Sequence, residues 1–560
     1  MNTRHSSIET LEARIAPARM LSTLASADIS DDGGGGGGGP ATLFDISPDG
    51  RTATLTDFDG DVVSVTVSKG RLKAGNFTLT TNPANGRVHI DLLDISAAKS
   101  GGKFQGANIL VQVVQSSAGS DTFGDLAAIN AKGIDLGKVI VGDGDLGQID
   151  VGDADRTTPA IKLISASQMG FNGSAGQIAG QDTVSKIRGQ VIKLNLGQLT
   201  DAFIDVKGGG ISQITLTSID ASNESTDHNG SIRAEGTIGT VSVFGDSGNG
   251  IRGGVGRYSG VIWSRTKIGA VTVTGNLTGG GGFDSGAIFA ASPDSDSFPI
   301  AKKIGPVVIN GSIVGGVGIN SGTLYADSGL KRVSIAGDVT GGVGDTSGTI
   351  ASGRGLGNIS IAGNLTSGSG PSSGSIVAFD GDAPSIVIGG QIVAENFADS
   401  GIFVNGFIGT LSFQSAPGGG GNATEIRALF GIGAINVFGN MNDVFVRAGA
   451  NTEGASINSD ASIGTVLIHG NFAGGGLEAG AAPGADGFTF TRDDVLASPD
   501  AFPQFLATIG SVMVGGTFTP LAVEAEQIGS ITVASTPIFL EAGAHNDDFL
   551  LGATVVKEIS

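Results

Sequence analysis

The chain has no cysteine at all. That excludes disulfides, thiolate metal sites and cysteine nucleophiles together. Proline is scarce, at 16 of 560 residues, so neither a collagen nor a Pro-rich spacer fits. Aromatics make up 5%, with Trp263 the single tryptophan and Tyr258 and Tyr325 the two tyrosines. A carbohydrate platform of exposed rings therefore has few residues to draw on, and the phenylalanines Phe413, Phe472 and Phe518 read as core. Basic side chains number 32 against 53 acidic ones, a net charge of −21. Such a chain repels phosphate, which argues against nucleic acid and anionic membranes as partners. No apolar run reaches about 18 residues, so no transmembrane helix is expected.

Glycine is abundant, at 97 residues, more than twice the usual share of about 7%. Hydrophobic residues are 39%, enough for a packed core. One phrase recurs. Leu330 to Gly341 and Leu356 to Ser367 are near copies, and the same pattern starts at Ile268, Ile304, Ile432 and Ile463. A second phrase, Ser-Gly-x-Ile-x-Ala, lies between copies of the first, as at Ser285, Ser321, Ser347 and Ser373. The tightest spacing is 26 residues, as from 304 to 330 and from 330 to 356.

Each burst alternates apolar and small residues, as in Val333-Ser334-Ile335-Ala336. A period of two puts one face inside and the other out. The bursts are short and β-branched, and glycine at this density would cost a helix about 1 kcal/mol per residue. The expected fold is all-β: a right-handed parallel β-helix, a β-solenoid with about three short strands per coil. Val271, Val307, Val333 and Ile359 should stack as one interior ladder, and Ile288, Leu324, Ile350 and Ile376 as another. With about 4.8 Å per coil, roughly 14 to 16 coils would extend about 70 Å.

Residues 1–40 read as a targeting or linker segment ending in the Gly33 to Gly39 run. Residues 41–133 read as a small N-terminal β module or cap, with a hairpin turn at Asp59-Gly60. The β-helix is expected over 134–540, with the longest insert at about 476–508 as a protruding loop, and a C-terminal cap or tail over 541–560. The Ser7 to Ala18 segment resembles the "LEPR" N-terminal motif of exported planctomycete-type proteins, with Ala13 where that motif has Pro. The coil phrases resemble the Gly-rich β-helix repeats of surface and autotransporter-passenger-like proteins. Both resemblances imply export and a surface role, so the chain is expected to be secreted or on the cell surface. The expected partners are cell-envelope components or extracellular polysaccharide.

Polysaccharide lyases and hydrolases on this scaffold would need stacked carboxylates and a base on the outer face. The first phrase's outward residues, among them Ser242, Thr272, Ser334 and Ser360, are uncharged. The third-strand face offers Arg233 and Arg427, many coils apart. No HExxH or phosphate-loop pattern occurs, and His469 reads as a surface side chain. The reading is therefore a structural or adhesive protein, not an enzyme. Its alternatives are a loop-built polysaccharide lyase or glycoside hydrolase and a calcium-stabilised spacer. No cofactor is required, but Asp57, Asp59 and Asp61 offer calcium part of an oxygen shell. Further aspartates flank single residues at Asp143/Asp145, Asp153/Asp155 and Asp380/Asp382.

Overall fold

The computed structural model describes residues 43–559, apart from 59, 116–125, 143, 154–157, 171–182, 223–225, 246–249, 292–301, 395–400, 419–422 and 498–504. The Ser7 to Ala18 and Gly33 to Gly39 segments lie outside the described residues, as do Asp59, Asp143 and Asp155. The described chain is all-β, and its repeating parallel strands form a solenoid.

Three series of parallel pairings run along it. In the first, Val271 pairs with Val307, Val307 with Val333, Val333 with Ile359 and Ile359 with Ile386. In the third, Ile288, Leu324, Ile350, Ile376 and Ile402 follow one another. The second is a two-residue series through Leu277, Ile313, Val339 and Leu365. All of these residues are buried and belong to one continuous apolar core, so both expected interior ladders are present.

Polar corners lock the register. Asn276 Oδ1 accepts from Ser312 N at 2.8 Å, Ser312 Oγ from Asp338 N at 3.0 Å, Asp338 Oδ1 from Asn364 N at 2.7 Å, and Asn364 Oδ1 from Gln391 N at 2.8 Å. This ladder explains the Asn, Ser or Asp that follows glycine in the first phrase. A second ladder explains the invariant serine of the other phrase. Ser285, Ser321 and Ser347 each accept from a backbone N–H five residues earlier, at 2.9 Å. These serines are fully buried. Ser347→Ala would strand the Gly342 N–H and should cost about 1–3 kcal/mol, read as faster amide exchange at Gly342.

Antiparallel pairs occupy both ends. Phe44–Ile46, Thr52–Thr56, Val62–Val67 and Ala107–Gln115 form a meander, whose last strand pairs parallel with Leu136–Val141. At the other end, Thr536–Ile538 folds back on Ile531–Val533, and Asp548–Leu551 on Thr554–Glu558. These hairpins cover strand edges that would otherwise template association.

Candidate functional site

The outward residues of the third series form a ladder of their own. It runs Asp205, Arg233, Trp263, Phe289, Tyr325, Ala351, Val377, Phe403, one residue per successive strand. Arg233 is held by Asp205 at 2.9 Å and lies over the Phe203 and Trp263 rings. Rings on the outer face of a sheet are normally wet, yet Trp263 and Phe289 are 7% and 8% exposed. A wall beside them accounts for this.

That wall comes from the corners. The residue before each corner serine has a left-handed backbone: Tyr258 at φ 56°, Asp284 at 56°, Asn320 at 54°, Thr346 at 51° and Ser372 at 51°. None is glycine, and each such position is strained. The conformation stacks these side chains alongside the aromatic floor. Asn320 Nδ2 donates to Asp284 Oδ1 at 3.0 Å, and Thr346 Oγ1 donates to Asn320 Oδ1. His228, left-handed in the same way at φ 66°, stacks between Phe203 and Tyr258, with centroids at 4.5 and 5.1 Å.

Floor and wall line a cavity of about 330 Å³, with Phe379 also in its lining. Along the cavity the floor shrinks from Tyr325 to Ala351. Burial pushes the Asp284 carboxyl up to about 6, against the opposing Asn320 hydrogen bond and Arg257 charge. Burial raises the Tyr325 hydroxyl, and the Asp327 charge adds to it. Burial lowers the His228 imidazole, with the Arg233 charge next. The site thus offers flat apolar faces and a hydrogen-bonding edge. Asp284 is the one carboxyl among the described lining residues.

Two of the aspartates singled out in the sequence accept backbone hydrogen bonds at turns and corners. Asp57 Oδ1 accepts from Gly60 N at 3.0 Å and Asp61 N at 2.8 Å, closing the hairpin turn. Asp61 is buried, and the Arg87 guanidinium reaches over the turn to Phe58 O at 3.1 Å. Asp382 Oδ1 accepts from Phe407 N at 2.8 Å. Among the described residues, no group of three or more histidine or acidic side chains is placed to hold a metal ion. His469 is exposed and stacks on Phe438.

Arg233 and Arg427 lie on one outward ladder, many coils apart as the sequence suggested, and the ladder continues past Phe403 through Arg427, Arg447, Glu478, Glu524 and Lys557. One expectation needs correction: the insert does not begin at 476, because Gly476–Ala479 is a strand of that series. The end of the second phrase, the triplet apolar-x-Ala, marks this ladder; the missed signal is its persistence without the serine and glycine, as Val446-Arg447-Ala448, Leu477-Glu478-Ala479 and Val523-Glu524-Ala525. The triplet's middle residue is the outward one. No protein-family model matches the chain, and no curated protein or solved structure is significantly similar to it.

Proposed function

We propose that this chain is a secreted or cell-surface structural and adhesive solenoid, without catalytic activity, that holds an extracellular polysaccharide in the groove beside Trp263. The solenoid is read as a right-handed β-helix with three strands per coil of about 26 residues, the handedness that parallel crossovers take. The observation that carries the binding role is the aromatic floor of Trp263, Phe289 and Tyr325 facing the polar edge of Asp284, Asn320 and Thr346. A sugar ring has one apolar face and a hydroxyl periphery, so it matches a floor and edge of that kind. The net charge of −21 favours a soluble, exposed setting over a nucleic-acid partner.

The test is retention of the purified chain on a panel of neutral and acidic polysaccharides, with new chain ends assayed in parallel. Retention without cleavage is expected. Ala351→Trp should fill the cavity and lower retention at least about tenfold, a loss of roughly 1.4 kcal/mol. Release of new chain ends would overturn the non-catalytic reading, and no retention on any polymer would overturn the adhesive one.

A further inference from the structure

The same outward ladder ends in a buried charged stretch. Two segments roof it. The 449–458 loop covers the arginines: Arg427 Nη1 donates to Thr452 O at 3.0 Å, Arg447 Nη1 to Gly454 O at 3.0 Å, and Arg447 Nη2 to Ser456 Oγ at 2.7 Å. A hairpin over 481–497 covers the acids. Its ends pair antiparallel, Ala481 with Leu496 and Ala482 with Val495. Ala497 N donates to Gly480 O at 2.8 Å, and Phe490 packs on Phe445 with ring centroids 4.7 Å apart. The hairpin carries Asp494 inward, to 1% exposure, beside Glu478 at 1% and Glu524 at 0%.

The facing charges come from every side. From earlier strands, Arg447 Nε stands 3.4 Å from Glu478 Oε2, while Glu425 pairs with Arg427 and reaches Arg447 at 3.7 Å. From the following strand, Lys557 Nζ donates to the carbonyls of Arg492 at 2.8 Å and Asp494 at 2.6 Å. On the hairpin's outer side, Arg492 pairs with Asp548 at 3.2 Å. Beneath the two roofs, the four carboxyls of Glu425, Glu478, Glu524 and Asp494 thus face the three cations of Arg427, Arg447 and Lys557. Glu524 stands opposite Lys557, whose Nζ reaches the Asp494 carbonyl, and the Asp494 oxygens accept from Thr491 N at 3.2 Å and Thr491 Oγ1 at 3.1 Å; neither Glu524 oxygen has a hydrogen-bond partner among the described residues. Two buried carboxylates in contact need a proton or a metal ion between them. Lys557 directs its ammonium at the Arg492 and Asp494 carbonyls rather than at Glu524, and no three of the described acids are grouped to hold a metal ion, so a shared proton is the compensation this arrangement favours.

We propose that the 481–497 hairpin is a proton latch: a proton on Glu524, donated to Asp494, holds the hairpin on the solenoid, and its loss to solvent in alkaline surroundings lifts the hairpin. Burial, then the contact with Asp494, pushes the Glu524 carboxyl from 4.5 up to about 9. A raised acid binds its proton more tightly in the closed form. The latch is therefore at full strength below about pH 4.5 and is lost as pH rises through about 9.

The experiment is amide exchange of the full chain at pH 6 to 10, with Ala497, whose N–H bonds to Gly480 at the end of a solenoid strand, normalised to Ala336 in the same sample. Wild type should lose hairpin protection as the pH approaches 10. Glu524→Gln keeps a donor without the titration and should retain protection at pH 10 at least about tenfold above wild type. Asp494→Asn removes one acid of the pair and serves if the first variant misfolds. Protection that does not change with pH in wild type would overturn the latch, as would variants that open at the wild-type pH. Opening by a chelator at neutral pH would assign a metal instead.

Discussion

Gly348→Ala should open the solenoid locally, at a cost of roughly 3 kcal/mol or more. Gly348 has φ +65°, and a Cβ built on it would stand 2.1 Å from Thr340 O and 2.9 Å from Gly315 N. Those atoms are backbone of its own and a neighbouring coil, so neither can yield without breaking a ladder. The control is Gly487→Ala. Gly487 also has positive φ, +75°, but nothing lies within 4 Å of its added Cβ. Only the left-handed penalty of about 1–2 kcal/mol applies there. The measurement is amide exchange at Leu324 and Ile350, whose N–H groups donate across coils to Thr349 and Ser375. Similar effects at the two glycines would mean that the close approach at Gly348 contributes nothing.

Arg447→Leu should be the most damaging charge deletion, and its effect should grow with pH. The substitution leaves Glu478 buried without its cation. Breaking such a pair costs about 3–5 kcal/mol. Burial already pushes the Glu478 carboxyl up to about 7, with Arg447 pulling the other way. A raised acid favours folding fully below its unfolded value of 4.5 and loses that contribution as pH rises through about 7. The variant loses the bonds to Gly454 and Ser456 at any pH, but it should be much less destabilised at pH 5, where Glu478 takes a proton, than at pH 9. Adding Glu478→Gln should restore much of the loss, because no charge is then stranded. Chemical denaturation at the two pH values reads both effects. Equal destabilisation at pH 5 and 9 would sink the account.

The architecture was legible because burial repeats a simple rule. Val333 and Ile335 face in, Ser334 faces out, and the next coil says the same thing 26 residues later. The groove was not legible, for the same reason turned round. Outward positions carry no common residue type, so Trp263, Phe289 and Tyr325 look unrelated until register stacks them. The triplet that marks the position survives in the later coils, but the serine and glycine before it do not. The second phrase as first read, with its serine and glycine, therefore stops short of Ala522–Ala525. Tyr258, Asp284 and Thr346 were hidden more deeply, because a left-handed conformation at a non-glycine residue leaves no mark in composition. The hairpin over Asp494 was read as a protruding loop because its glycines and alanines gave no hint that it roofs buried acids.

The corner ladder of Asn276, Ser312, Asp338 and Asn364 has a direction. At each step the side chain of the earlier coil accepts, and the backbone of the later coil donates. A substitution at one corner side chain therefore removes a bond made by the following coil's backbone and leaves the corner of the coil before it intact, so a fault in this ladder is felt on one side only.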